Sequence, residues 1–336
     1  TLLPQIYEVP VSMALALLVW SGVCFISLDR HPRLVFAGSL MVALIFACRP
    51  QIGLFGLLLI PFGIQALMAK RTARSRVVFL AAALIPIIVV FAGIGVYNAL
   101  RFGSPFDFGA AYNLTTNDMR YRPATLDMAL MSLFSYLFQL PVLEPFFPFL
   151  DPVMSSSGAE GREALQSMWG YAGNIITEAP IGGLLWLSPL AWFVIALFTA
   201  KQPFSAAVTG DGSDVRFCAQ NLTSEPSPVT KVPRSGRGLK AFAVATIALT
   251  LVVVIIDGEG AGILPRYVLD FALPILVLGA FGFMLLDTRR DLAAPPARWL
   301  VVLGIAMLLI GLIVTVGVAF HENTIRVSWI YDMAQL

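Results

Sequence analysis

The 336-residue chain is 58% hydrophobic and 12% charged, with a mean hydropathy of +0.83 and a formal charge of +2. A soluble domain carries about 25% charge and must cover its surface with polar groups. The balance excludes disorder, a collagen-like fibre and a disulfide scaffold. With no clustered basic face it gives no case for nucleic acid.

Cys24, Cys48 and Cys218 have no paired spacing, and two of them lie in apolar runs. A disulfide framework or a zinc site is therefore not expected, and no cofactor is implied. The chain opens at Thr1 without methionine, basic n-region or cleavage site. It reads as a fragment whose N-terminal part is missing.

A helix needs about 20 apolar residues to cross a hydrocarbon core of roughly 30 Å. In chain order the first span is Val9–Leu28. The run Leu34–Met68 is too long for one span and is interrupted by Arg49-Pro50-Gln51. Proline restricts the preceding residue and removes a donor, and a charge there is expensive in mid-bilayer. The run is thus divided into Leu34–Cys48 and Ile52–Met68, a hairpin with Arg49 at its outer tip. Val77–Leu100, Gly182–Ala200, the shorter Ala241–Ile256, Tyr267–Leu286 and Trp299–Phe320 complete the series. The expected fold is an all-α integral membrane protein of about eight transmembrane helices.

Alternate loops divide the basic residues unequally, with 15 of the 22 Lys and Arg on one side. The short clusters Lys70, Arg71, Arg74, Arg76 and Arg289, Arg290 decide that this side is cytoplasmic. The Gly/Ser/Pro-rich loop Lys201–Lys240 then reads as a flexible cytoplasmic linker. Arg101–Ile181 becomes one large extracytoplasmic loop rich in Tyr, Trp and Phe. Within it Ala124–Leu140 spaces Leu126, Leu130, Leu133, Phe134, Leu137 and Phe138 as an interfacial helix. The domains expected are 1–100 (helices 1–4), 101–181 (the loop) and 182–336 (helices 5–8 with the linker 201–240).

Four constellations could carry chemistry. Arg49-Pro50 offers a guanidinium fork for a lipid phosphate, or an arginine that snorkels and ends a helix. Arg101, in Arg101-Phe102-Gly103-Ser104-Pro105-Phe106-Asp107-Phe108-Gly109, sits where the chain leaves the membrane among aromatics that suit the headgroup zone. Arg120 and Arg122 flank Tyr121 before the interfacial helix. In Pro265-Arg266-Tyr267-Val268-Leu269-Asp270, Asp270 follows Arg266 by four residues on one helix face. An intramembrane carboxylate there is a functional candidate or an orienting partner for that arginine.

Together these segments resemble the C-terminal part of bacterial polytopic membrane glycosyltransferases of the GT-C type, the group of dolichyl-phosphate-mannose protein mannosyltransferase-like and aminoarabinose transferase-like enzymes. The likeness rests on Ala47-Cys48-Arg49-Pro50, Asn98–Thr115 and Pro265-Arg266-Tyr267. It implies transfer of a sugar from a polyprenyl-phosphate donor to an extracytoplasmic acceptor in a bacterial inner membrane. It implies donor-binding roles for Arg49, Arg101, Arg120, Arg122, Arg266 and Tyr267, and places the catalytic acid in an upstream loop. Such a transfer needs a carboxylate base and positive charge where the phosphate leaves. A transporter or flippase without covalent chemistry would use the same spans, with Arg266 and Asp270 on a solute or proton path.

Overall fold

In the computed structural model the described residues are 8–109, 125–140, 142–143, 150–151, 182–199, 236–263 and 267–287, with Val302, Ile305, Ala306, Leu309 and Leu312 as single helical positions. Arg120, Arg122, Arg266, most of the loop 101–181, the linker up to residue 235 and most of Trp299–Phe320 lie outside them. The chain divides into two units. Among the described residues, the first takes those up to Leu133 and Leu249–Leu273, and the second takes the rest.

The first unit opens with α1 (Glu8–Ile26), a short 3-10 turn and α2 (Leu34–Cys48). Arg49 is extended at φ −153° and ψ 98°, the conformation that a following proline favours. The chain then reverses through α3 (Pro50–Gly53), a 3-10 segment Leu54–Leu59 and α4 (Ile60–Met68). Pro50 stands in the first turn of α3, where its missing N–H is not needed.

The return strand of this hairpin lies close against α2. A Cβ at Gly53 would press into the Phe46 ring, and one at Gly56 would meet Val42. The pairing is antiparallel, because 46 meets 53 while the earlier 42 meets the later 56. Two apolar clusters mark the ends. Val11, Ala14, Ile45 and Ile52 pack beside the Arg49 turn, while Leu28, Val35, Ala66 and Phe79 pack at the opposite end.

Helix α5 (Ala73–Phe102) follows, with 30 residues, about 45 Å at 1.5 Å per residue. Thr72 caps its start by accepting from the Ser75 N–H at 3.2 Å. Phe79 belongs to the cluster remote from Arg49, whereas Phe91 meets Phe46 with ring centroids 5.7 Å apart. The C-terminal end of α5, with Arg101, is therefore at the Arg49 end of this unit. Arg30, Arg33, Lys70, Arg71, Arg74 and Arg76 are at the other. Gly103 ends α5 in the left-handed region at φ 79° and donates its N–H to Ala99 O, where a glycine avoids a Cβ clash.

The apolar surface of α5 faces outward. Ile88, Val89 and Val96 are 62%, 63% and 60% exposed. A soluble monomer rarely leaves a contiguous apolar patch larger than a few hundred Å² exposed, so the medium that suits this face is hydrocarbon. Among the described residues, four helices are long and apolar enough to cross a membrane: Val9–Asp29, Pro50–Met68, Ala73–Phe102 and Gly238–Gly260. Leu34–Cys48 and Val268–Met284 are apolar but shorter.

Helix α6 (Leu126–Leu133) continues as a π-helical turn, Phe134–Phe138, inside the predicted interfacial segment. Leu126 and Leu130 of the predicted stripe are exposed, while Met128, Met131 and Ser132 are buried. The protein-facing side is thus the methionine and serine side, and two of the leucines look outward.

The second unit holds a two-residue antiparallel pair, β1 (Val142–Leu143) and β2 (Leu150–Asp151). It also holds α7 (Leu184–Leu187), a 3-10 turn Pro189–Phe193 and α8 (Val194–Thr199). The single span expected over Gly182–Ala200 is therefore broken at Ser188-Pro189, where proline disfavours the helical conformation in Ser188. Gly183 donates its N–H to Gln139 O at 2.8 Å and Trp186 Nε1–H donates to Phe138 O at 2.9 Å, which fastens this stretch to the π turn. Helix α9 (Gly236–Ala261) and helix α10 (Val268–Asp287) supply Ala243 and Leu278, which bury Leu197 of α8 between them.

Candidate functional site

The site is built in the first unit from three chain segments. Arg49 enters from the kink between α2 and α3. Its backbone N–H donates to Ile45 O at 2.7 Å and its carbonyl accepts from the Gly53 N–H at 3.2 Å. These bonds fix the extended residue between two helix ends, so the side chain leaves the hairpin in one direction.

That direction is inward. The Arg49 side chain is only 19% exposed, and Nη2 lies 3.4 Å from Oδ2 of the fully buried Asp270. The guanidinium carbon sits 5.0 Å from the centroid of the Tyr267 ring. Tyr267 and Asp270 are three residues apart at the start of α10, so they present one helical face. The snorkelling alternative for Arg49 does not describe this geometry. Asp270 is the ion partner of Arg49; Arg266, the arginine it was expected to orient, lies outside the described residues.

The Arg49–Asp270 contact is one-ended rather than a bidentate fork. Arg49 Nε and both oxygens of Asp270 are buried without a hydrogen-bond partner among the described residues. A buried ion pair is stabilising only where its remaining donors and acceptors are also satisfied. This pair leaves bonding capacity open.

Asp257 adds a second carboxylate. The span expected over Ala241–Ile256 is longer in the structure: α9 runs on to Ala261, so Asp257 lies within the helix. The residue is 1% exposed and neither carboxylate oxygen has a hydrogen-bond partner among the described residues. It lies within electrostatic reach of both Asp270 and Arg49. The cluster thus sets two buried carboxylates against one guanidinium. Gln51, two residues after Arg49, buries an unpartnered Oε1 as well.

The same end of α9 holds the start of α6. Glu259 accepts from the Thr125 N–H at 3.3 Å, while the Thr125 hydroxyl accepts from the Met128 N–H at 3.3 Å. A Cβ on Gly258 would collide with the Ser132 side chain. Close approach of α6 therefore depends on a glycine at this point. Asp257 and the helix contact at Gly258 are adjacent in the chain, which fixes the carboxylate against a rigid junction.

Of the other predicted residues, Arg101 is described. Arg101 is exposed at the end of α5; its Nη1–H donates to Tyr97 Oη at 2.8 Å, and its guanidinium lies 5.0 Å from the Phe102 ring centroid. Its contacts are with its own helix end. Arg120, Arg122 and Arg266 lie outside the described residues. Sequence reasoning missed Asp257 because it ended the span one residue earlier. The signal was present: Thr250, Val253, Val254 and Asp257 recur at helical spacing and are all buried. Among the described residues, no group of three or more His, Cys, Asp or Glu side chains is arranged to hold a metal ion.

No family model, curated protein or solved structure matches this chain. The functional reading therefore rests on the cluster itself.

Proposed function

We propose that the chain is a membrane glycosyltransferase-like protein in which the Arg49 cluster serves transfer of a sugar from a polyprenyl-phosphate donor. The observation that carries the reading is the pair of valences left unfilled among the described residues: a guanidinium with an unpartnered buried Nε, and a carboxylate, Asp257, with no donor. A transfer needs both. The open guanidinium donors suit a phosphate oxygen as the bond from anomeric carbon to phosphate oxygen breaks. The unpaired carboxylate suits the acceptor hydroxyl, whose proton it takes as the new glycosidic bond forms. Asp270 holds the guanidinium and Tyr267 covers its face. The resemblance in Arg49-Pro50 and Arg266-Tyr267 supports the donor-phosphate role of Arg49, since Arg49 lies over the Tyr267 ring; the role of Asp257 rests on the cluster alone. The positive-inside asymmetry supports an extracytoplasmic position for this end, with eight spans in a bacterial inner membrane.

The test is turnover by the whole chain reconstituted in liposomes with a short polyprenyl-phosphate sugar, followed by release of polyprenyl phosphate. Asp257→Asn is expected to lower turnover by about 10²–10⁴-fold, the range for a positioned general base. Parental turnover in that variant, or no consumption of any lipid-linked sugar, overturns the reading.

One observation favours proton-coupled transport instead: two fully buried carboxylates share one arginine. Intramembrane acids of this kind form proton relays in transporters. Solute flux without covalent product, lost in Asp257→Asn, would select that alternative.

A further inference from the structure

The end of the first unit remote from Arg49 carries a cleft of about 460 Å³ that the proposed function does not use. Two turns and the start of α5 form it. Arg33, Lys70 and Arg74 stand around it, and Val35, Phe79 and Ala82 supply apolar wall. Among the described residues, no carboxylate lines it. The one carboxylate ion pair among the described residues is Arg49–Asp270, so among them none of the three cations has a carboxylate partner.

The backbone beneath these cations is held in place. Arg76 Nε–H donates to Lys70 O at 3.1 Å, and the Ser75 hydroxyl donates to Thr72 O at 2.8 Å. The Lys70 ammonium lies 5.5 Å from the Phe79 ring centroid, above the apolar wall. That wall continues onto the outward apolar face of α5 at Val77 and Val78, which are 65% and 62% exposed. The cleft thus opens toward hydrocarbon on one side and gathers positive charge on the other.

We infer that this cleft binds an anionic glycerophospholipid of the surrounding membrane, with its phosphate among Arg33, Lys70 and Arg74 and its upper acyl chain against Val35, Phe79 and Ala82. The charge selects an anion, and basic pockets between membrane helices suit lipid head groups. The apolar wall selects the lipid over a free anion, which would leave that wall uncovered. The inference rests on membrane embedding alone and is independent of the glycosyl-transfer reading.

The experiment is native mass spectrometry of the whole chain in detergent, titrated with dioleoyl phosphatidylglycerol or dioleoyl phosphatidylcholine. Phosphatidylglycerol is expected to bind one saturable site at least about tenfold more tightly, from roughly two basic contacts' worth of attraction or more. Lys70→Gln with Arg74→Gln should remove that preference. Arg30→Gln with Arg71→Gln, the same charge change at the same end but outside the cleft, should keep it. Neither millimolar inorganic phosphate nor deacylated glycerophosphoglycerol should displace the lipid. Equal affinity for the two lipids, equal loss in both double variants, or displacement by either water-soluble anion overturns the inference.

Discussion

Arg49 and Asp270, drawn from opposite parts of the chain, meet at 3.4 Å with the aspartate fully buried and the arginine largely so. The pair ties the hairpin turn to the first turn of α10. Each partner alone would be an unpaired charge in an apolar surrounding, which neither segment could bury by itself.

Asp270→Ala should therefore destabilise the protein by about 3–5 kcal/mol, the usual effect of removing one partner of a buried pair. The Arg49→Met/Asp270→Leu double variant should recover part of this, because it removes both charges of the pair together. Thermal unfolding of the detergent-solubilised chain checks both. If the single variant unfolds at the parental temperature, the pair is not a structural tie.

Gly258→Val should push α6 off α9, because Ser132 fills the space a Cβ would need. An overpacked contact of this sort costs about 1–3 kcal/mol. Gly260, with nothing within 4 Å of a Cβ, is the control: Gly260→Ala should be tolerated or slightly stabilising in its helix. The readout is a lower unfolding temperature for the first variant and none for the second.

The ends of α5 should lie on opposite faces of the membrane, since the helix is longer than the hydrocarbon core. Phe106 is 86% exposed just beyond its C-terminal end, and Ala73 is exposed at its start. With the native cysteines replaced, a membrane-impermeant maleimide should label Phe106→Cys in intact cells. Ala73→Cys should react only after permeabilisation. The reverse pattern would invert the orientation assigned to the Arg49 cluster and the basic cleft together.

Gly103→Val should shorten or fray the end of α5, because φ 79° places a β-branched side chain in the left-handed region. The penalty is about 1–2 kcal/mol. Faster proteolysis at the 103–109 turn is the measurable consequence. Cleavage at the parental rate would mean that the turn tolerates another conformation.

Much of the first unit was legible as a string of residues. Apolar run length marks α1, α2 and α5, and the Arg49-Pro50 break appears as the chain reversal, because proline acts on its immediate neighbour. The outward leucines of α6 follow from spacing alone. The break of Gly182–Ala200 at Ser188-Pro189 was equally local in cause, but an unbroken apolar composition concealed it. The extension of α9 through Asp257 was missed because hydropathy alone ends a span at the first charge. A helix that buries its next turn against other segments has no such limit.

The candidate site divides along the same line. Sequence alone singled out Arg49, Tyr267 and Asp270, since a charge or a phenol beside a long apolar run is conspicuous wherever it falls. That Asp270 meets Arg49, that Asp257 stands near them, and that Arg101 bonds to Tyr97 of its own helix were decided only by tertiary structure. The physical reason is that spacing along a helix fixes which side chains share a face. The energy of a buried charge is set by whatever other segment arrives at that face, and segments distant in the chain carry no mutual spacing to read.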